Sequence, residues 1–120
     1  MIRGIKFACV PVRDQDQSLK FFTEKLGFWV MTDQPFGKQR WIELGIPGAD
    51  SQIVLFTPDG HEDRIGGFQP IAFWTDDVFA TAKVLKSKGV EFAVDPKKEP
   101  WGSTLVFKDV DGNQFVLSSK

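Results

Sequence analysis

Apolar and polar residues along this chain form two successive blocks with the same order of predicted elements. The first block opens with the strand-like run IKFACVPV (residues 5–12). A helical pattern follows, in which Leu19, Phe22 and Leu26 recur at helical spacing. Asp14 opens this predicted helix and Gly27 ends it. Three short strand patterns complete the block: FWVMTD, KQRWIEL and QIVLFTP.

The second block repeats this order. PIAFWTDD (residues 70–77) predicts a strand, and the helical stripe after it consists of Val78, Ala82 and Leu85, with Gly89 as its end. VEFAV, STLVFK and NQFVLS predict three more strands, the last two joined by a tight turn at Asp111-Gly112. The two helix-opening aspartates stand 13 and 12 residues before the glycines that end their helices. The chain therefore reads as a βαβββ unit followed by its repeat.

The repeat predicts an α+β fold in one domain, residues 1–120, built from two paired βαβββ modules. We expect the modules at about residues 1–58 and 68–120, with a linker at 59–67. One helix covers only one face of its sheet, which leaves the second, apolar face to be covered by something else. Pairing the modules would give a curved, partly closed mixed sheet with the helices outside and a central cavity suited to a small molecule. A solid two-layer core without a cavity is the alternative.

Composition and charge exclude several classes of partner. The 120 residues carry a net charge of -1 with both signs scattered, which gives no basic patch for nucleic acid or for an anionic membrane. No apolar run is long enough to cross a membrane, and Arg3, Lys6 and Pro11 interrupt the opening residues, unlike a secretory signal. We expect a cytoplasmic protein. The single cysteine, Cys9, is expected to be a buried and inert thiol.

Three stretches resemble one known family. VPVRDQDQSLKFFTEKLGF (10–28), IAFWTDDVFATAKVLKSKGVEF (71–92) and FKDVDGNQFVLS (107–118) are similar to segments of the vicinal oxygen chelate superfamily, which includes glyoxalase I, extradiol dioxygenases and the bleomycin and fosfomycin resistance proteins. The resemblance spans nearly the whole chain. It implies paired βαβββ modules and a homodimer.

The resemblance also implies a metal site that can be checked by position. In the metal enzymes of this family, four His, Gln or Glu ligands come from the first and fourth strands of each module. The matching positions of this sequence hold Phe7, Val54, Pro70 and Val116. A divalent ion needs several oxygen or nitrogen donors, and these four side chains offer none. We therefore expect no metal, no cofactor and no catalytic residue at this place, as in the resistance proteins that bind a drug without chemistry.

Alternation along the strands predicts what lines the cavity instead. Most of the lining is apolar and aromatic, which suits a flat aromatic or heterocyclic ligand. Glu43 and Gln114 would orient this ligand by hydrogen bonds. The predicted ligand-binding residues are Phe7, Cys9, Trp41, Glu43, Val54, Phe56, Trp74, Trp101, Gln114 and Val116.

Other candidate chemistry is weaker. His61, the only histidine, falls in the predicted linker, and Cys9 has no neighbouring histidine to activate it. DVDGN (109–113) resembles the start of a calcium loop but lacks the later Glu, so a hairpin turn explains it better. The preferred function is a metal-free small-molecule binding protein of the glyoxalase/bleomycin resistance type that sequesters an aromatic or drug-like compound. A divergent lyase or dioxygenase and a non-catalytic dimeric interaction module stay open as alternatives.

Overall fold

The computed structural model describes all 120 residues and has the predicted α+β architecture, with two four-stranded mixed sheets that are not closed and two α-helices. The chain forms two compact units, Met1–Ile65 and Gly66–Lys120. Most of the predicted linker therefore belongs to the first unit, where it contains a short 3-10 helix, Glu62–Arg64, and the buried Ile65.

The first unit has the order strand, helix, three strands. Its elements are β1 (Phe7–Pro11), α1 (Gln15–Glu24), β2 (Trp29–Phe36), β3 (Gln39–Gly45) and β4 (Gln52–Phe56). The strand order in the sheet is β1-β4-β3-β2, with β1 parallel to β4 and the other pairs antiparallel.

The second unit repeats this arrangement. Its elements are β5 (Phe68–Thr75), α2 (Val78–Ser87), β6 (Phe92–Glu99), β7 (Gly102–Lys108) and β8 (Gln114–Ser119). The strand order is β5-β8-β7-β6, and again only the first pair, β5 with β8, is parallel. The internal repeat predicted from the sequence is thus present in topology and in pairing direction.

Both helices begin at the predicted aspartate caps, but they end slightly early, α1 at Glu24 and α2 at Ser87, so Leu26 of the predicted stripe lies outside α1. The Asp14 carboxylate accepts a hydrogen bond from the Gln17 N–H at 3.0 Å, and the Asp77 carboxylate accepts one from the Ala80 N–H at 3.0 Å. Each cap satisfies one of the backbone donors that a helix leaves free at its N-terminus. Each helix has 10 residues, and no helix is long and apolar enough to cross a membrane.

Each sheet buries one face against its own helix. In the first unit this face carries Ile42, Leu44 and Leu55, all fully buried. In the second unit it carries Leu105, Phe107, Phe115 and Leu117, all at most 5% exposed. We call the opposite face of each sheet, whose side chains alternate with these core residues, its helix-free face.

The outer strands β2 and β6 each contain one proline. Pro35 lies opposite Arg40 of β3, and Pro96 lies at an irregular stretch between Val94 and Lys97. Proline has no backbone N–H to donate, so a sheet tolerates it at an edge strand or a bulge. β2 pairs only with β3 and β6 pairs only with β7, which makes both strands edges of their own sheets.

The turn between β7 and β8 is a hairpin loop held by a buried carboxylate. Asp109 accepts hydrogen bonds from the backbone N–H groups of Asp111 and Asn113, both at 2.9 Å, and from the Asn113 amide at 2.8 Å. The Asn113 side-chain oxygen accepts hydrogen bonds in turn from Gly66 N–H and the Gln69 amide, at 2.8 and 2.9 Å. DVDGN is thus a structural turn, although its sequence resembles the start of a calcium loop.

Candidate functional site

The helix-free face of the first sheet carries a group of aromatic side chains. Phe7 and Trp41 meet edge to face with ring centroids 5.5 Å apart, and Phe36 meets Trp41 in the same way at 5.4 Å. Phe7 lies on β1 and Trp41 on β3, which are separated by β4, so their rings meet above β4. Trp41 is therefore the centre of an aromatic array that reaches from one edge of the sheet to the other.

The register places Val54 beneath this array. Val54 of β4 lies between its pairing partners Cys9 and Glu43 and is only 1% exposed. The Trp41 indole N–H donates a hydrogen bond to the Glu43 carboxylate at 3.1 Å, which sets the orientation of the ring. Six of the predicted ligand-binding residues therefore share one face of one sheet: Phe7, Cys9, Trp41, Glu43, Val54 and Phe56.

Cys9 corrects one expectation, because it is exposed rather than buried. Its neighbours Ala8 and Val10 point toward the helix side, where Val10 is fully buried, so alternation turns the thiol to the helix-free face. Partial burial raises the pKa of the Cys9 thiol, and the positive charge of Arg64 opposes this shift. The prediction of a buried thiol was wrong because it rested on the apolar character of the whole run.

One cationic group reaches the same face. The Arg64 guanidinium lies over the Phe56 ring, 5.5 Å from its centroid. Phe56 pairs with Pro11 at the end of β1, next to the position where Cys9 pairs with Val54. The face thus combines aromatic rings with a carboxylate, a thiol, a guanidinium and side-chain amides.

The other predicted residues lie in the second unit. Trp74, Gln114 and Val116 share the helix-free face of its sheet, where Trp74 pairs with Ser118 and Val116 with Ala72. The Trp74 ring is 57% exposed and carries the Lys120 ammonium 4.6 Å from its centroid. Trp101 lies in the turn between β6 and β7 and is 75% exposed. Whether these residues bind a ligand stays a prediction.

Two residues of the first sheet were missed by the sequence analysis. Gln52 lies on the helix-free face as the pairing partner of Phe7 and Gly45, and alternation counted two residues back from Val54 would have found it. The Trp29 indole occupies the space that a β-carbon at Gly45 would need. No pattern in the sequence indicates this contact, because it depends on the pairing of β2 with β3 and on the absence of a side chain at Gly45.

The residues do not fit the metal that the family resemblance implies. Phe7, Val54, Pro70 and Val116 carry no side-chain oxygen, nitrogen or sulfur that could bind a divalent ion. No three His, Cys, Asp or Glu side chains come together as a metal-binding group anywhere in the chain. The side chains at these four positions therefore cannot hold a divalent ion.

Comparison with known proteins identifies the family. A family model described as the Glyoxalase/Bleomycin resistance protein/Dioxygenase superfamily matches residues 4–117. The uncharacterized protein YetH of Bacillus subtilis is 36% identical over 118 residues, which are 98% of each chain.

Two crystal structures extend this likeness to the fold. A member of the same superfamily from Sphaerobacter thermophilus is 34% identical, with a TM-score of 0.89 over 99% of this chain and 98% of that one. TnmS3, an antibiotic binding protein from Streptomyces sp. CB03234, is 33% identical, with a TM-score of 0.86 over 98% and 96% of the two chains. The topology, the match across nearly the whole chain and these relatives agree, and the chain belongs to the glyoxalase/bleomycin resistance protein/dioxygenase superfamily.

Proposed function

We propose that this protein binds a flat aromatic small molecule on the helix-free face of its first sheet and holds it without chemistry. The observation that carries the proposal is the Phe7–Trp41–Phe36 array, in which rings from three strands gather on the face away from the helix. A stacked aromatic pair contributes about 0.5–1.5 kcal/mol beyond the burial of its area, so such a face favours ring ligands over aliphatic ones.

The polar groups of this face support binding better than catalysis. Glu43 accepts the Trp41 N–H, and the pKa of the Cys9 thiol is raised, which keeps it in the protonated, less nucleophilic form. His61 is exposed beside the 3-10 helix and makes no acid–base pair on the sheet. One relative, TnmS3, is an antibiotic binding protein, which is the same class of function.

Titration with phenazine, a flat three-ring compound, tests this proposal. Binding should change the tryptophan emission in a saturable way, and Trp41→Leu should weaken the affinity by about tenfold because stacking on this ring is lost. Phe79→Leu is the matched control, since Phe79 is a half-exposed ring on α2 of the other unit, and it should change the affinity by no more than about twofold.

Two results would count against the proposal. One is the absence of saturable binding of phenazine, checked by equilibrium dialysis so that the result does not depend on fluorescence. The other is an equal loss of affinity in the Trp41 and Phe79 variants, which would place the bound compound elsewhere. The homodimer and the cytoplasmic location implied by the sequence stay predictions, and sedimentation analysis tests the first of them.

A further inference from the structure

One polar atom of the first sheet has no partner. The side-chain oxygen of Gln52 is buried and makes no hydrogen bond. Buried acceptors are almost always satisfied by protein, water or ligand, because an unpaired one lowers stability. We propose that Gln52 is the polar anchor of the ligand site and accepts a hydrogen bond from an O–H or N–H group of the aromatic ligand. This inference rests on the proposed function and specifies its ligand class.

The position of Gln52 supports this assignment. It lies on the helix-free face, where Phe7 is its pairing partner on β1 and Gly45 its pairing partner on β3. The Phe7 ring contacts Trp41, the centre of the aromatic array. An acceptor at this position would fix the in-plane orientation of a ring that stacks on the neighbouring aromatic side chains, which stacking alone does not do.

Trp29 gives the anchor a route of access. Its indole lies over Gly45 and so extends from β2 across β3 toward Gln52. The side chain is 52% exposed and belongs to an edge strand, next to the register irregularity between Val30 and Thr32. Rotation of this half-exposed indole would open the space above Gly45, beside Gln52, without disturbing the helix-side core.

The chemistry of the anchor selects the ligand. A Gln oxygen is a neutral acceptor that matches a hydroxyl or amino group. The Glu43 carboxylate on the same face already accepts the Trp41 indole N–H through one oxygen. The expected ligand is therefore a flat aromatic compound with a hydroxyl or amino substituent on its rim, and an analogue whose donor is methylated should bind less tightly.

A pair of probes isolates the hydrogen bond: 2-hydroxyphenazine, which carries the donor, and 2-methoxyphenazine, which does not. The unmodified protein should bind the hydroxy compound about fivefold to tenfold more tightly in equilibrium dialysis, the range of one net hydrogen bond. Gln52→Met keeps the length of the side chain but removes the acceptor, so it should abolish this preference while leaving the affinity for 2-methoxyphenazine within about twofold.

Gln34→Met is the matched control. Gln34 is an exposed amide on the same face, opposite Trp41, and its loss should leave the preference intact. Without ligand, Gln52→Met should raise the Tm by about 4 °C or more, because it removes a buried acceptor that has no partner. This second measurement requires no ligand and so tests the unpaired acceptor independently of binding.

The outcomes separate the two proposals. If phenazine and both derivatives fail to bind, the proposed function is wrong and this inference with it. If all three bind but the hydroxy compound has no advantage, or keeps its advantage in Gln52→Met, only the role of Gln52 is overturned. A lower Tm for Gln52→Met would also overturn it, because removing a buried acceptor that has no partner should not destabilise the fold.

Discussion

The two units share a topology but differ in the face of the sheet that carries their main cluster of strand aromatic rings, although Trp74 lies on the helix-free face of the second sheet. In the first unit the rings gather on the helix-free face, around Trp41. In the second unit Phe73, Phe107 and Phe115 pack on one another between sheet and helix, with centroids 5.5–6.0 Å apart. The same βαβββ architecture therefore accepts either distribution, because topology depends on which positions are apolar and not on which apolar residue fills them.

The difference separates the roles of the two faces. A ring under the helix fills the core and stabilises the fold, whereas a ring on the helix-free face contributes less to stability and is open to other molecules. The strands of the first unit pack aliphatic side chains such as Ile42 and Leu55 under α1, which supplies its own rings from Phe21 and Phe22. Phe7, Phe36 and Trp41 lie instead on the helix-free face, where the proposed ligand would bind.

The largest expected effect comes from truncating one ring under the helix and one ring on the helix-free face. Phe115→Ala should lower the free energy of unfolding by about 3–5 kcal/mol, because it leaves a cavity where a fully buried ring stood. Trp41→Leu should lower it by at most about 2 kcal/mol, since this ring lies on the half-exposed face. Urea unfolding followed by far-UV circular dichroism measures both. Equal losses would mean that the two faces are equally part of the core.

A second difference concerns the turns that join the last two strands of each unit. In the second unit burial raises the pKa of the Asp109 carboxyl to about 6, although Asn113 and two backbone N–H groups donate hydrogen bonds to it. In the first unit the corresponding loop carries Asp50, which is exposed. Only the second turn should therefore make stability depend on pH.

The sign of this dependence follows from proton linkage. The pKa of Asp109 is higher in the folded than in the unfolded chain, so the folded state binds the proton more tightly and gains stability at low pH. The free energy of unfolding should fall as the pH rises from about 4 to about 6, by up to about 3 kcal/mol, and change little above that. Urea unfolding at a series of pH values measures it. Asp109→Asn should flatten this slope, and Asp50→Asn should leave it unchanged.

The smallest expected effect concerns the helix N-caps, in which the two units are alike. Asp14→Ala and Asp77→Ala each remove a cap that accepts the same type of backbone hydrogen bond at the same distance of 3.0 Å. Each should lower the free energy of unfolding by about 1 kcal/mol. If the losses in the two variants differ by more than about 0.5 kcal/mol, the two caps do not contribute equally to stability.

The fold was predictable because it depends on local signals that occur in both halves of the sequence. Aspartate caps, glycine ends and apolar periodicity identify each helix without knowledge of its neighbours, and the stripe Val78, Ala82 and Leu85 is the buried set of α2. The extent of β6 was less predictable. Its sequence pattern predicts a strand only to Val94, but pairing with β7 extends it to Glu99 through Lys97 and Lys98. Cross-strand hydrogen bonds decide the end of such a strand, whatever its hydrophobicity.

For the site, the sequence predicts only which face of its strand each residue lies on. Alternation assigns Phe7, Trp41 and Val54 to faces of their strands, and the register then brings the strands together. The contact of Trp29 with Gly45 depends on strand pairing and on side-chain direction, and the unpaired oxygen of Gln52 depends on what lies above it. Neither feature has a sequence signature, because both are properties of three-dimensional neighbours.

Pro35 and Pro96 have a consequence for the behaviour of the protein at high concentration. Each removes one backbone N–H donor from the outer strand of its sheet, which interrupts the continuous hydrogen bonding that an added foreign chain would need. Such an interruption disfavours fibril growth. We expect that replacing both prolines increases association through these strands and leaves every ring on the sheets in place.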